Sequence, residues 1–155
     1  RSTYSSGPAT TIGLALRSRA STDARVRWVR TNDVPDVHRV FDRIRASGEF
    51  PEVTLVEPVR GEGDPATSID PAFYGALVAR TRAEGGLVLV DSVQAGLRCH
   101  GVLSITDYPG FECQPRPDLE TFAKALNGGV VSASVVAFGA RAPRHWRARC
   151  LHRPS

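Results

Sequence analysis

Two residues in this sequence stand where carboxylate and amine chemistry could be done. Leu87-Val88-Leu89-Val90 is an apolar run that ends abruptly on Asp91. Farther on, Pro117-Asp118-Leu119-Glu120-Thr121-Phe122-Ala123 leads to Lys124, just ahead of Ala125-Leu126-Asn127-Gly128-Gly129. An apolar run closed by a single acid reads as a buried strand that delivers a carboxylate at its C-terminal end, where open α/β sheets place their ligands. The short apolar piece Leu119 to Ala123 delivers an amine before a Gly-Gly break. An acid and an amine on separate sheet elements suit a ligand held between them. Each feature alone has a plainer reading, since strands ending in Asp are common and a lysine before Gly-Gly can cap a turn.

A cofactor that needs this pair is pyridoxal 5'-phosphate. Its aldehyde is captured by a lysine amine as a Schiff base, and its ring nitrogen must stay protonated for the ring to act as an electron sink. Those atoms lie at opposite ends of the ring, so amine and acid must approach from different elements. Three segments then resemble, in order and approximate spacing, the class III aminotransferases. They are Val56-Glu57-Pro58-Val59-Arg60-Gly61-Glu62-Gly63, Leu89-Val90-Asp91-Ser92-Val93-Gln94-Ala95-Gly96, and Pro117-Asp118 through Gly129. Three ordered motifs carry far more than any one of them. The resemblance covers about 55–138.

The resemblance implies a role for each matched residue. Asp91 pairs with the cofactor ring nitrogen, because a nearby carboxylate favours the protonated pyridinium. Val93, pointing the same way two residues on, packs on the ring face, and Gln94 hydrogen-bonds the phenolic oxygen. Lys124 forms the cofactor linkage and then serves as general acid–base. Glu57 is a supporting carboxylate, and Glu62 matches the position that gates the substrate's acidic groups. Read without the family, Glu62 equally well solvates a glycine turn. Two departures stand out: Ser92 replaces the usual glutamate and Arg60 the usual glutamine. Both leave the reaction type intact and loosen any statement about substrate.

By this resemblance the fold is α/β, a three-layer, mostly parallel sheet flanked by helices, an incomplete large domain of a fold-type I pyridoxal-phosphate-dependent transferase. It would occupy 1–142, leaving 143–155 as a basic tail. The implied reaction moves an amino group from an amino donor, an ω-amino acid by family, to a 2-oxo acid, and the full-length parent is expected to be a homodimer. Family members are considerably longer than this chain, and their phosphate-binding loop and substrate arginine lie outside the part matched. The chain is therefore expected to be an incomplete, inactive fragment.

The elements needed to position these residues are legible as well. Asn32-Asp33 and Pro35, followed by Val37, Val40, Phe41 and Ile44, predict an amphipathic helix ending near Gly48. His38 lies beside that stripe and reads as a surface histidine. Pro51 to Val59 reads as a strand with Val53, Leu55 and Val56 buried. Asp70-Pro71 starts a second helix with Phe73, Tyr74, Leu77 and Val78 inward, ended by Gly85-Gly86. Strand, helix, strand implies a right-handed crossover with parallel pairing. Val26 to Val29 is a weak strand, Ile12 to Leu16 an uncertain strand or turn, and Val130 to Phe138 a further strand.

Bulk properties bound the rest. The chain has 155 residues, enough for one domain, and a composition with no apolar run that could span a bilayer. It begins on Arg1 and contains no methionine. The 3 cysteines, Cys99, Cys113 and Cys150, are odd in number and never spaced as Cys-x-x-Cys. They read as free thiols in a reducing, intracellular compartment. Groupings such as Cys99, His100 and Cys113, or His145, Cys150 and His152, match no zinc spacing, so no metal is expected. Walker, His-Glu-x-x-His and Gly-x-Ser-x-Gly motifs are missing. The net charge of +4 is concentrated in Arg141, Arg144, Arg147, Arg149 and Arg153 around Trp146. The alternative function this offers is a non-enzymatic nucleic-acid-binding module, against the plainer reading of a solvated terminus.

Overall fold

The computed structural model describes residues 9–12, 25–61 and 67–143. In chain order the elements are β1 (Ala9–Ile12), β2 (Arg27–Arg30), α1 (Val34–Ala46), β3 (Val53–Val56), α2 (Pro71–Ala83), β4 (Leu87–Asp91), β5 (Leu119–Phe122) and β6 (Val135–Phe138). Short 3₁₀ turns occupy Ile105–Asp107 and Lys124–Asn127. The strands form one sheet in the order β2-β1-β3-β4-β5-β6. β3, β4 and β5 pair in parallel, while β1 runs antiparallel to both its neighbours and β6 antiparallel to β5. Four strands therefore point the same way, and β1 and β6 oppose them.

Both helices begin as the sequence predicts. The Asp33 carboxylate accepts the Asp36 N–H at 2.9 Å, which caps the first turn of α1, and Pro35 follows in that turn. Asp70 occupies the N-cap of α2 but makes no side-chain cap hydrogen bond, so Pro71 alone marks that start. The apolar stripes of the two helices pack on one face of the sheet. Val37, Val40, Phe41 and Ile44 from α1 and Phe73, Tyr74, Leu77 and Val78 from α2 form the core with Val56, Val88 and Val90. Thr54 of β3 and Thr81 of α2 share a buried hydrogen bond of 2.7 Å on that same face. Where α2 turns into β4, a Cβ on Gly86 would stand 2.2 Å from the Pro51 carbonyl oxygen. Only glycine permits that approach.

Strand alternation turns the neighbouring residues outward. Leu55, Leu87, Leu89, Asp91 and Thr121 are half-buried on the opposite face, which no helix covers among the described residues. The long excursion between β4 and β5 folds back beside α2, where Ile105, Tyr108 and Phe111 enter the core and the Tyr74 hydroxyl donates to the Pro115 carbonyl at 2.9 Å.

Two strand expectations need correction. β6 begins at Val135, not Val130; Val130 and Val131 are 86% and 64% exposed, because Gly128 and Gly129 hold a turn that keeps them off the sheet. Leu55, expected in the core with Val53 and Val56, is only half-buried because alternation turns it to the face without helices. Of the uncertain stretch Ile12 to Leu16, Ile12 ends β1 and 13–16 lie outside the described residues. His38 is exposed, as expected. No described helix is long and apolar enough to cross a membrane.

Candidate active site

The parallel ladder sets the site. Val56 pairs with Val90, so Glu57 and Asp91 leave the sheet side by side, and Asp91 pairs in turn with Thr121. Three residues beyond Thr121 comes Lys124. The acid and the amine thus emerge from the C-terminal ends of adjacent parallel strands, the position from which α/β sheets hold ligands.

Asp91 is half-buried, and its Oδ1 accepts two donors, the Val93 N–H at 3.1 Å and the Thr121 hydroxyl at 3.2 Å. Lys124 is exposed and makes no hydrogen bond or ion pair among the described residues. Its backbone has φ +46°, in the left-handed region that L side chains rarely adopt. Such strain persists only where the surroundings over-determine it, and it concentrates at functional positions. Here it falls on the residue that carries the amine, in the turn that follows β5.

The remaining sequence candidates are placed less simply. Val93 does not continue β4; the strand ends at Asp91 and Val93 sits in a turn closed by the Asp91 carboxylate itself. Strand alternation therefore does not point Val93 alongside Asp91. Gln94 is half-buried and its Oε1 accepts from Arg98 Nη1 at 2.7 Å. Its side chain lies on Gly61, where a Cβ would stand 2.2 Å from Gln94 Cγ. This contact joins the loop after β3 to the turn after β4, and gives Gly61 a packing reason. Glu57 accepts the Gly61 N–H at 3.0 Å, so its carboxylate closes its own loop. Glu62 lies outside the described residues, as do Trp146 and the tail arginines beyond Pro143. Cys99 and Cys113 are free thiols, and no described group of three His, Cys, Asp or Glu side chains could hold a metal ion.

Sequence reasoning missed two residues that hold the strand ends together. Thr121, not singled out in the sequence, touches Asp91. Glu120 is 4% exposed and accepts from Ser92 Oγ at 2.6 Å, Ser104 Oγ at 2.8 Å and the Ile105 N–H at 3.2 Å. Burial pushes its carboxyl above the ordinary range, although these three donors pull the other way; the Asp107 charge adds to the rise. Ser92, the departure from the aminotransferase pattern, is thus buried and paired with an acid on the next strand. The available signal was an acid in the otherwise apolar strand Leu119-Glu120-Thr121-Phe122, at a position that alternation sends inward.

No family model matches the chain. Over 102 residues, 66% of its length, it is 34% identical to the 4-aminobutyrate aminotransferase GabT of Escherichia coli K12 and covers 22% of that protein. Over 115 residues, 72% of its length, it is 36% identical to the acetylornithine aminotransferase of Xanthomonas campestris pv. campestris and covers 25% of that protein. The ornithine aminotransferase of Toxoplasma gondii, solved with partial occupancy of PLP at its active site, superposes with a TM-score of 0.56 at 25% identity, covering 71% of this chain and 24% of that one. FumI of Sphingopyxis sp. MTA144 shares the fold with a TM-score of 0.62 at 22% identity, covering 88% of this chain and 30% of that one. The chain spans about a quarter of the length of the curated relatives it matches.

Proposed function

We propose that this chain, which belongs to the class III pyridoxal-phosphate-dependent aminotransferases and matches about a quarter of their length, supplies the acid and the amine of a transamination site. The observation that carries the reading is the placement of Asp91 and Lys124 at the ends of adjacent parallel strands, with the Lys124 amine exposed and its backbone at positive φ. A donor set of one carboxylate and one unengaged amine fits pyridoxal 5'-phosphate. When bound, that cofactor supplies an aldehyde to take up an amino group and a ring to accept electrons from the neighbouring carbon.

Asp91 would hold a proton on the ring nitrogen, since a carboxylate beside a pyridinium favours the charged ring. Lys124 would hold the cofactor through its Nζ and, once displaced, move the proton between substrate carbon and cofactor carbon. Gln94 and Val93, both on the turn that Asp91 closes, would flank the ring, and Glu57, which accepts the Gly61 N–H, would be a supporting carboxylate. The substrates of this reading are an amino donor, an ω-amino acid by kinship with GabT and acetylornithine aminotransferase, and a 2-oxo acid. The parent assembly would be a homodimer.

The test is capture. Incubation with pyridoxal 5'-phosphate followed by borohydride should leave a reduced cofactor on the peptide containing Lys124, detected by mass, and Lys124→Ala should lose it completely. Lys124 is the chain's only lysine, so labelling at the N-terminal amine instead, unchanged in Lys124→Ala, overturns the assignment. The 155-residue chain itself should show no steady transamination, because clustered phosphate donors of the kind found at helix N-termini are not among the residues matched here. Turnover that disappears in Lys124→Ala would contradict that expectation.

A further inference from the structure

We propose that Thr121 is a positioning residue for Asp91, fixing the plane of its carboxylate and tying it to the strand that carries the amine. The inference takes the roles of Asp91 and Lys124 from the reading above. Asp91 and Thr121 are direct partners in the parallel ladder, so their side chains leave the same face of the sheet. The Thr121 hydroxyl donates to Asp91 Oδ1 at 3.2 Å, and the Val93 N–H reaches the same oxygen at 3.1 Å. The two donors differ in what they are anchored to. Val93 belongs to the turn that Asp91 itself closes, so it moves with the acid. Thr121 belongs to β5, and its branched Cβ restricts the hydroxyl to few rotamers.

The register that brings the pair together is locked from both sides. The Ser92 N–H donates to the Thr121 carbonyl at 3.0 Å, and on the helix-covered face Ser92 Oγ bonds Glu120 at 2.6 Å. A slip of β4 against β5 would break all three contacts at once. Thr121 also lies three residues before Lys124, on the strand that leads into the turn bearing the amine. Through that one hydroxyl, the orientation of the acid is referenced to the element that delivers the amine. Without it, the carboxylate loses its side-chain tie to β5.

The experiment compares Thr121→Val, which keeps shape and loses the donor, with Thr121→Ser, which keeps the donor. The first readout is the Asp91 side-chain ¹³Cγ resonance in the cofactor-free chain, assigned by its disappearance in Asp91→Asn. Thr121→Val should move and broaden that resonance, Thr121→Ser should restore it, and amide signals of α1 and α2 should stay put in both. With pyridoxal 5'-phosphate as the probe, apparent affinity should fall about tenfold in Thr121→Val, the worth of one hydrogen bond to a charged group, while borohydride still traps Lys124. An unmoved Asp91 resonance in Thr121→Val overturns the proposal, and so does an equal movement in Thr121→Ser, which marks a packing effect. Failure of the unsubstituted chain to be trapped at Lys124 counts against the cofactor reading alone, because the resonance still decides what Thr121 does to Asp91.

Discussion

The two faces of the central strands are built from the same residue types and meet opposite fates. Val88 and Val90 on one face of β4 are fully buried beneath α2, whereas Leu87 and Leu89, one residue away, are only half-buried on the other. On the helix-covered face, polar side chains are paired within the protein: Thr54 with Thr81, and Glu120 with Ser92 and Ser104. On the other face stand Asp91 and Thr121, with exposed Lys124 just past the end of β5. Stability is concentrated on one side and reactive groups are presented on the other. A period-2 strand can do both at once, since each residue it buries turns its neighbour outward.

The largest effect should come from removing volume on the covered face. Leu77→Ala, at a fully buried position of α2, should cost about 3 kcal/mol by urea unfolding, the usual transfer and cavity loss for a leucine in a closed core. Leu89→Ala on the opposite face should cost about 1 kcal/mol, because partial exposure removes most of both contributions. Equal losses at the two positions would mean that the second face is as well covered as the first, and the contrast would collapse.

A smaller effect separates the faces by pH. Burial raises the Glu120 carboxyl above its unfolded range, so the folded state binds its proton more tightly than the unfolded chain does. The stability it contributes is then fully present below the unfolded carboxylate range and is lost as pH rises through the raised folded value. Melting temperatures followed across that window should fall with rising pH in the native chain relative to Glu120→Gln, which has no proton to lose. Asp36 works in the opposite direction. Burial opposes its charge, but the Arg30 N–H and the Arg39 guanidinium outweigh that and hold its carboxyl below the usual range, so its contribution is lost on acidification. Only the difference between the native chain and Glu120→Gln isolates Glu120. A difference that is flat with pH would place this carboxylate in water rather than in the core.

How far the sequence reaches follows the same division. Both helices, the order of β3, α2, β4 and β5, and the placement of Asp91 and Lys124 were legible, because capping residues, Pro at helix starts and apolar runs are local signals. The contacts across the strand ends were not. That Thr121 meets Asp91, or that Glu120 meets Ser92, depends on the register of two strands separated by 27 residues of irregular chain, Ser92 to Asp118, which no local pattern specifies. Val93 misled for a related reason: alternation was extended past Asp91, although an aspartate that bonds the amide two residues on ends a strand in a turn. The start of β6 was placed too early because valine content was read as pairing, while Gly128 and Gly129 postpone it.

The smallest expected effect is also the sharpest test of what the reactive face costs. Lys124 holds φ +46°, a conformation that costs an L residue about 1–2 kcal/mol and glycine almost nothing. Lys124→Gly should therefore stabilise the chain, but by less than that cost, since glycine also gives the unfolded chain more freedom to lose. A net gain of about 0.5–1 kcal/mol is expected, and for a chain of this size it amounts to a rise of about 2 °C in melting temperature. Lys124→Ala keeps the Cβ and hence the strain, so it should leave the melting temperature unchanged while losing cofactor capture just as completely. If glycine and alanine shift stability alike, the positive φ stores no strain and Lys124 sits in its turn without cost. If only glycine stabilises, the chain carries at the position of its amine a conformation that folding alone would not select, with Asp91 waiting one strand away.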